Sequence, residues 1–232
     1  MNLKLKIILP IFALLIIMIP LSVYSAVNGS NQSLNTTNSS LILNNNLSEN
    51  NTTLLNVPDV YQPSNSSSGP TALQAVLSYY GTNIGEDELI NMTNTTENGT
   101  IPGNIANAAV QLGFNAVIKE NMTLVDLQQY INQGTPVIVY AQAWKNNQTN
   151  IQNWTADQID GHYMVVIGID TSNVYFEDPA ILGSRGYIAN QEFLDRWHDT
   201  YQANNGSDIT NNNLGIIITG KPVVRPLLLQ IE

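Results

Sequence analysis

Two stretches decide how this chain folds: VPDVYQPSNSSSGPTALQAVLSYYG, residues 57–81, and GHYMVVIGIDTSNVYFEDPA, residues 161–180. In the first, Leu73, Val76, Leu77 and Tyr80 recur at i, i+3, i+4 and i+7, which makes one apolar face of a helix. Ser68 or Gly69 opens that helix, Pro70 suits its first turn and Gly81 ends it. In the second, HYMVVIGID and VYFE are β-rich runs separated by Thr171, Ser172 and Asn173, which reads as a hairpin.

Outward from these stretches the pattern continues. A short helix is expected around Glu86 to Asn91. Ile105, Ala108, Ala109 and Leu112 mark another, closed by Gly113. Thr123 is placed to cap a fourth, carrying Leu124, Leu127 and Ile131 and ending at Gly134. PVIVYA from Pro136 and LGIIIT from Leu214 read as strands. Helices ahead of strands, without regular alternation, predict an α+β domain. We assign it residues 56–220, with 221–232 as a C-terminal tail that packs as an extra strand or stays loose.

The N-terminus carries a different signal. Lys4 and Lys6 precede an apolar run from Ile7 to Val23, and Ser25 and Ala26 supply small residues at a cleavage point. Residues 1–26 thus read as a signal peptide or an uncleaved membrane anchor, and either places the rest outside the cytoplasm, extracellular or at the cell surface. Residues 27–55 are rich in Asn, Ser and Thr without a period, and read as a disordered spacer. Asn-x-Ser/Thr occurs about fifteen times, at Asn28, Asn35, Asn46, Asn91, Asn121, Asn153 and Asn205 among others, which fits a glycoprotein.

The net charge of −10 over 232 residues offers nothing to neutralise phosphates, which argues against a nucleic-acid partner. With no cysteine there is neither a disulfide framework nor thiol chemistry. Two histidines, His162 and His198, argue against a zinc site. We expect no metal and no cofactor.

The order of the motifs resembles the peptidases that process double-glycine (bacteriocin) leader peptides, a branch of the papain-like superfamily. That family has a glutamine, a Cys-Gly-Pro opening a helix that ends Tyr-Tyr-Gly, a later Gly-His-Tyr strand and then Asp-Pro. Here the matching residues are Gln62, Ser68-Gly69-Pro70, Tyr79-Tyr80-Gly81, Gly161-His162-Tyr163 and Asp178-Pro179. Weaker echoes are Gly99-Thr100, Gln133 to Pro136, and Phe193 with Trp197 in a late helix. The resemblance implies N-terminal helices packed on an antiparallel sheet, with Ser68 on a helix and His162 and Asp178 on the sheet. It implies Gln62 as the oxyanion-hole amide, His162 as base, Asp178 as its orienting carboxylate and Ser68 in the nucleophile position. The family cuts after Gly-Gly, usually as a domain of an ABC exporter. We read no exporter domain in this sequence, so neither that substrate nor ATP dependence is expected.

The residue chemistry fits independently. A nucleophile at a helix N-terminus gains from the positive end of the dipole. A histidine opening one strand and an aspartate ending its neighbour can meet through the imidazole Nδ1–H, fixing the tautomer. Serine in place of cysteine is the departure. A thiol in such a site ionises with a pKa of about 3–4, whereas a serine hydroxyl must give its proton to histidine during attack. Ser66 and Ser67 blur the register, and only Gly69-Pro70 selects Ser68.

Each position has a blander reading. Ser68 alone is a helix N-cap, His162 a core histidine, Asp178 a turn cap before Pro179 and Gln62 a loop residue. Asp160 reads as a surface charge or a substrate-binding pocket residue. Trp144 and Trp154 read as subsite aromatics or as local packing, and His198 as a solvated helix residue. The leading function is hydrolysis of peptide or isopeptide bonds by a Ser-His-Asp triad, with a peptide or cell-wall peptide as substrate. The alternative is an inactive pseudopeptidase that binds peptides or cell-wall polymers in the same cleft. A purely structural surface protein would leave the glutamine, histidine and aspartate coincidental.

Overall fold

Packing of the Ser68 helix against the His162 strand organises the molecule. The computed structural model describes residues 52, 54–145, 153–203 and 206–220. The signal segment, the spacer except Thr52, Leu54 and Leu55, the tail at 221–232, and Asn28, Asn35, Asn46 and Asn205 lie outside the described residues.

Helix α1 (Ser68–Tyr79) buries Leu73, Val76 and Leu77, and Gly81 leaves its end at φ +89°, a conformation glycine adopts without steric cost. Ser67, not Ser68, is its N-cap residue, so Ser68 stands as the first helical residue and the capping reading of Ser68 is corrected. Helices α2 (Glu86–Met92) and α3 (Pro102–Gln111) follow, and Gly113 turns the chain into strand β1 (Asn115–Lys119), which the sequence reading missed. Helix α4 (Leu124–Asn132) begins with a capping box: Thr123 Oγ1 accepts the Asp126 N–H, and the Asp126 carboxylate accepts the Thr123 N–H.

Strands β2 (Val137–Gln142), β3 (Gly161–Ile169) and β4 (Asn173–Glu177) form the centre of a six-stranded antiparallel sheet. With β5 (Gly186–Ala189) and β8 (Gly215–Thr219), its order is β1-β8-β2-β3-β4-β5. Alternation along β3 explains its almost unbroken hydrophobicity. Tyr163, Val165 and Ile167 join a core with α1 and α3, while Met164 and Val166 join a second core with α4 and α5 (Asn190–Arg196). The sheet is thus covered on both faces, by the N-terminal helices on one and by α4 and α5 on the other. Strands β6 (His198–Gln202) and β7 (Asp208–Asn212) form a separate antiparallel pair. His198 opens β6, and its Nε2 lies 2.7 Å from the Asp157 carbonyl oxygen, so it is not a solvated helix residue. Among the described residues no helix is long and apolar enough to cross a membrane.

Candidate active site

Strand register brings the histidine and aspartate together. Val165 pairs with Glu177, so one step further along Met164 stands opposite Asp178, and His162 is the diagonal neighbour on the same face. His162 Nε2 lies 2.6 Å from Asp178 Oδ1, and both side chains are buried. The nitrogen in contact is Nε2, which corrects the expected Nδ1 contact. A histidine entering from the first residues of β3 presents its outer nitrogen to the neighbouring strand end, leaving Nδ1 nearer its own backbone.

Asp178 is held by more than histidine. Its Oδ1 also accepts the Ala180 N–H at 2.9 Å, and its Oδ2 accepts the Trp144 indole N–H at 3.1 Å. One residue earlier, the fully buried Glu177 carboxylate accepts the Val60 N–H at 2.9 Å and pairs with Arg185. These bonds, with the Gln62 N–H donating to the Pro179 carbonyl at 2.9 Å, tie the Gln62 segment to the Asp178 segment.

Ser68 approaches from α1. Its hydroxyl accepts the N–H of Tyr163, the residue after His162, at 3.3 Å. Among the described residues Ser68 and His162 are not hydrogen-bonded to each other. Gly69 permits this approach, because a Cβ there would sit 2.9 Å from Thr100 Cβ. The first N–H groups of α1 lack intrahelical partners and supply donors beside Ser68. One N–H of the Gln62 side-chain amide goes to the Ser64 carbonyl at 2.9 Å, leaving a second on the same nitrogen, and its Oε1 is buried and unpaired among the described residues.

Gln62, Trp144, Asp160 and His162 line one chamber of about 380 Å³. Ser68 lines the adjoining one of about 290 Å³, and Asn65, Ile159 and Gly161 line both. The cleft thus assembles Gln62, Ser68, Trp144, Asp160 and His162, while Asp178 lies behind His162. Trp144 serves as a hydrogen-bond donor to Asp178 as well as a wall. Trp154 stands apart, its ring 3.7 Å from the Arg196 guanidinium and 4.8 Å from Lys145 Nζ.

Sequence reasoning missed Tyr140, Gly161 as a lining residue, and Asp199. Tyr140 stacks on Tyr163 with centroids 4.2 Å apart and forms part of the Ser68 chamber. Burial first, then the charge of Asp199, pushes the Tyr140 phenol far above its ordinary pKa, so it stays a hydrogen-bond donor. Its signal in the sequence was a single polar-tipped residue within PVIVYA. Burial likewise raises the Asp199 carboxyl, and no sequence signal marks it because β6 has no clean alternation. Among the described residues no cluster of His, Cys, Asp and Glu is arranged to hold a metal ion.

A family model described as the Peptidase_C39 like family matches residues 54–205. The peptidase domain of Streptococcus ComA, a bi-functional ABC transporter involved in a quorum-sensing pathway, is 22% identical with a TM-score of 0.50, covering 70% of this chain and 97% of that one. A putative C39-like peptidase from Bacillus anthracis is 18% identical with a TM-score of 0.56, covering 75% and 100%. A double glycine motif protease from an AMS/PCAT transporter, solved in complex with the leader peptide, is 18% identical with a TM-score of 0.51, covering 73% and 94%. These likenesses establish the papain-like α+β fold. A search of curated proteins returned no match.

Proposed function

The chain belongs to the Peptidase_C39-like family, and on that premise we propose that it hydrolyses peptide or isopeptide bonds with Ser68 in the place of the family's cysteine. The observation that carries this reading is the 2.6 Å contact between His162 Nε2 and Asp178 Oδ1. It commits Nε2 to the carboxylate and leaves Nδ1 as the ring nitrogen for Ser68. In the proposed reaction Ser68 Oγ attacks the scissile carbonyl carbon and its proton passes to His162 Nδ1. The tetrahedral oxyanion takes N–H bonds from the start of α1 and from the remaining Gln62 amide proton. Collapse breaks the C–N bond, and the histidine proton goes to the leaving amine. Water, deprotonated by the same histidine, then releases the acyl group from Ser68.

A second reading has its own support. The Ser68 hydroxyl is bonded to the Tyr163 N–H, and Gln62 is partly committed to Ser64. Both suit an inactive relative that binds peptides or cell-wall polymers in the cleft. A fluorophosphonate probe separates the two. The enzyme reading expects labelling at Ser68 that is lost in Ser68→Ala and His162→Ala; an unlabelled, folded wild type would leave the binding reading.

We further propose that the domain acts outside the cytoplasm. The pattern from Lys4 to Ala26 supports export, and the sequon asparagines Asn91, Asn121 and Asn153, which stand outside the cleft, are exposed, as modification requires.

A further inference from the structure

A third chamber, of about 700 Å³, adjoins the one that holds Ser68, and Asn98, Gly99, Thr100 and Tyr140 line both. Its far walls are Asn94 and Asn104 on one side and Thr200, Tyr201 and Gln202 on the other. No lining residue carries a charge, in a chain of net charge −10.

Among the described residues the edge of β6 away from β7 pairs with no strand, and the register identifies which atoms stand on it. The Trp197 carbonyl accepts the Asn213 N–H and the Ala203 N–H donates to the Ser207 carbonyl, each at 2.8 Å. These pairs continue the β6–β7 register, so odd-numbered residues bond to β7 and even-numbered ones point their backbone groups away from it. Two contacts agree: the His198 carbonyl accepts the Gln142 side-chain amide, and the Thr200 N–H goes to Asp199 Oδ1. The Thr200 carbonyl and the Gln202 N–H and carbonyl remain, and among the described residues they make no hydrogen bond. The opposite wall is fixed in advance. Thr93, Thr95 and Thr100 hydroxyls are linked at 2.7 Å each, and Thr96 and Gly99 exchange backbone bonds at 3.0 Å.

We infer that this chamber holds a flank of the peptide substrate as an added strand on the free edge of β6, and that it selects an extended segment without charged side chains. The inference rests on the peptidase reading of the adjoining site and names the substrate class for it. Main-chain bonds to Thr200 and Gln202 supply affinity independent of sequence, as in other strand additions. The uncharged lining supplies selection, because a charged side chain desolvated there finds no partner. The braced wall spares the cost of ordering a loop on binding.

The test uses the full-length Ser68→Ala protein and a fluorescent peptide of residues 31–40, NQSLNTTNSS, which is uncharged. Anisotropy reads affinity, and amide hydrogen exchange reads the Gln202 N–H. Strand addition expects protection at Gln202. N-methylating alternate peptide residues in one register should weaken binding by about 10-fold, the equivalent of about one hydrogen bond, and have little effect in the other. Peptides with Asn35→Asp or Thr37→Lys should bind correspondingly less well. No protection at Gln202, equal loss in both registers, or stronger binding by a neutral oligosaccharide would overturn the inference. The two readings fail differently. Cleavage of a peptide by wild type with Gln202 unprotected sinks strand addition alone, and protection without cleavage by wild type sinks the peptidase reading alone.

Discussion

The indole N–H of Trp144 donates to Asp178 Oδ2 at 3.1 Å, on the oxygen that His162 does not use. Trp144 reaches it from φ +57°, a left-handed conformation that a bulky residue rarely adopts, with its side chain largely exposed. A residue held there contributes little to the core and much to the direction of the carboxylate. We expect Trp144→Phe to stay folded but to lose about 1–2 kcal/mol, because the buried Asp178 Oδ2 is left without its donor. Fluorophosphonate labelling of Ser68 should slow by about 10-fold, as for a lost hydrogen bond to a charged acceptor. Equal labelling rates in the two proteins would remove the positioning role of the indole.

Asp199 gives a pH test. Burial raises its carboxyl above the ordinary value in the folded state. The folded chain therefore holds this proton to higher pH than the unfolded chain does, and the group costs stability as pH rises from the unfolded value through the raised one. Asp199→Asn keeps an oxygen for the Thr200 N–H, now held at 2.6 Å. The variant should be the more stable protein at neutral pH, with its advantage shrinking as pH falls from the raised value to the ordinary carboxyl value and levelling off below it. Urea unfolding across that range reads the effect; an advantage that grows on acidification would reject it.

Two glycines contrast in what they protect. A Cβ on Gly161 would lie 1.6 Å from Asp199 Oδ2 and 2.9 Å from the Tyr140 hydroxyl, while one on Gly103, in α3, would meet nothing within 4 Å. Gly103→Ala should stabilise by about 0.5 kcal/mol through helix propensity. Gly161→Ala should destabilise, and because Gly161 precedes His162 it should also depress Ser68 labelling. Calorimetry beside labelling checks both, and a neutral Gly161→Ala would mean that Asp199 yields freely.

Much of this was legible in the sequence where one physical signal dominated. The apolar face from Leu73 to Tyr80 located α1, and Thr123 with Gly134 bracketed α4. The Thr171–Asn173 turn paired β3 with β4, and that pairing alone carries His162 to Asp178. Other elements depend on partners distant in sequence. β1 is half exposed and exists because β8 pairs with it from a hundred residues away, and β6 and β7 are polar strands that among the described residues pair only with each other. Tyr140 and Asp199 meet beneath Gly161 through that tertiary placement, so no local pattern marks them. The nitrogen used by His162 likewise depends on side-chain direction at a strand end, which spacing does not encode.

The decisive prediction concerns Ser68. It stands first in α1, buried, where Cys is close to Ser in size and the fold has little to lose. If the cleft retains the geometry of a thiol enzyme, Ser68→Cys gains a nucleophile whose ionisation the helix N-terminus and an adjacent imidazole favour. The Tyr163 N–H that now bonds the Ser68 hydroxyl at 3.3 Å would then donate to a thiolate, a further stabilising contact. We expect Ser68→Cys to react with iodoacetamide faster than a free thiol at neutral pH and to cleave peptides faster than wild type. Loss of one oxyanion donor costs about 10²–10³ in rate, so Gln62→Ala in the Ser68→Cys background should fall by that order. If the cleft is adapted to oxygen, sulfur crowds it and Ser68→Cys is slower than wild type. If it only binds, neither protein turns over and Ser68→Ala keeps full affinity for the peptide of residues 31–40. Peptide cleavage by Ser68→Ala equal to wild type would remove Ser68 from the chemistry altogether.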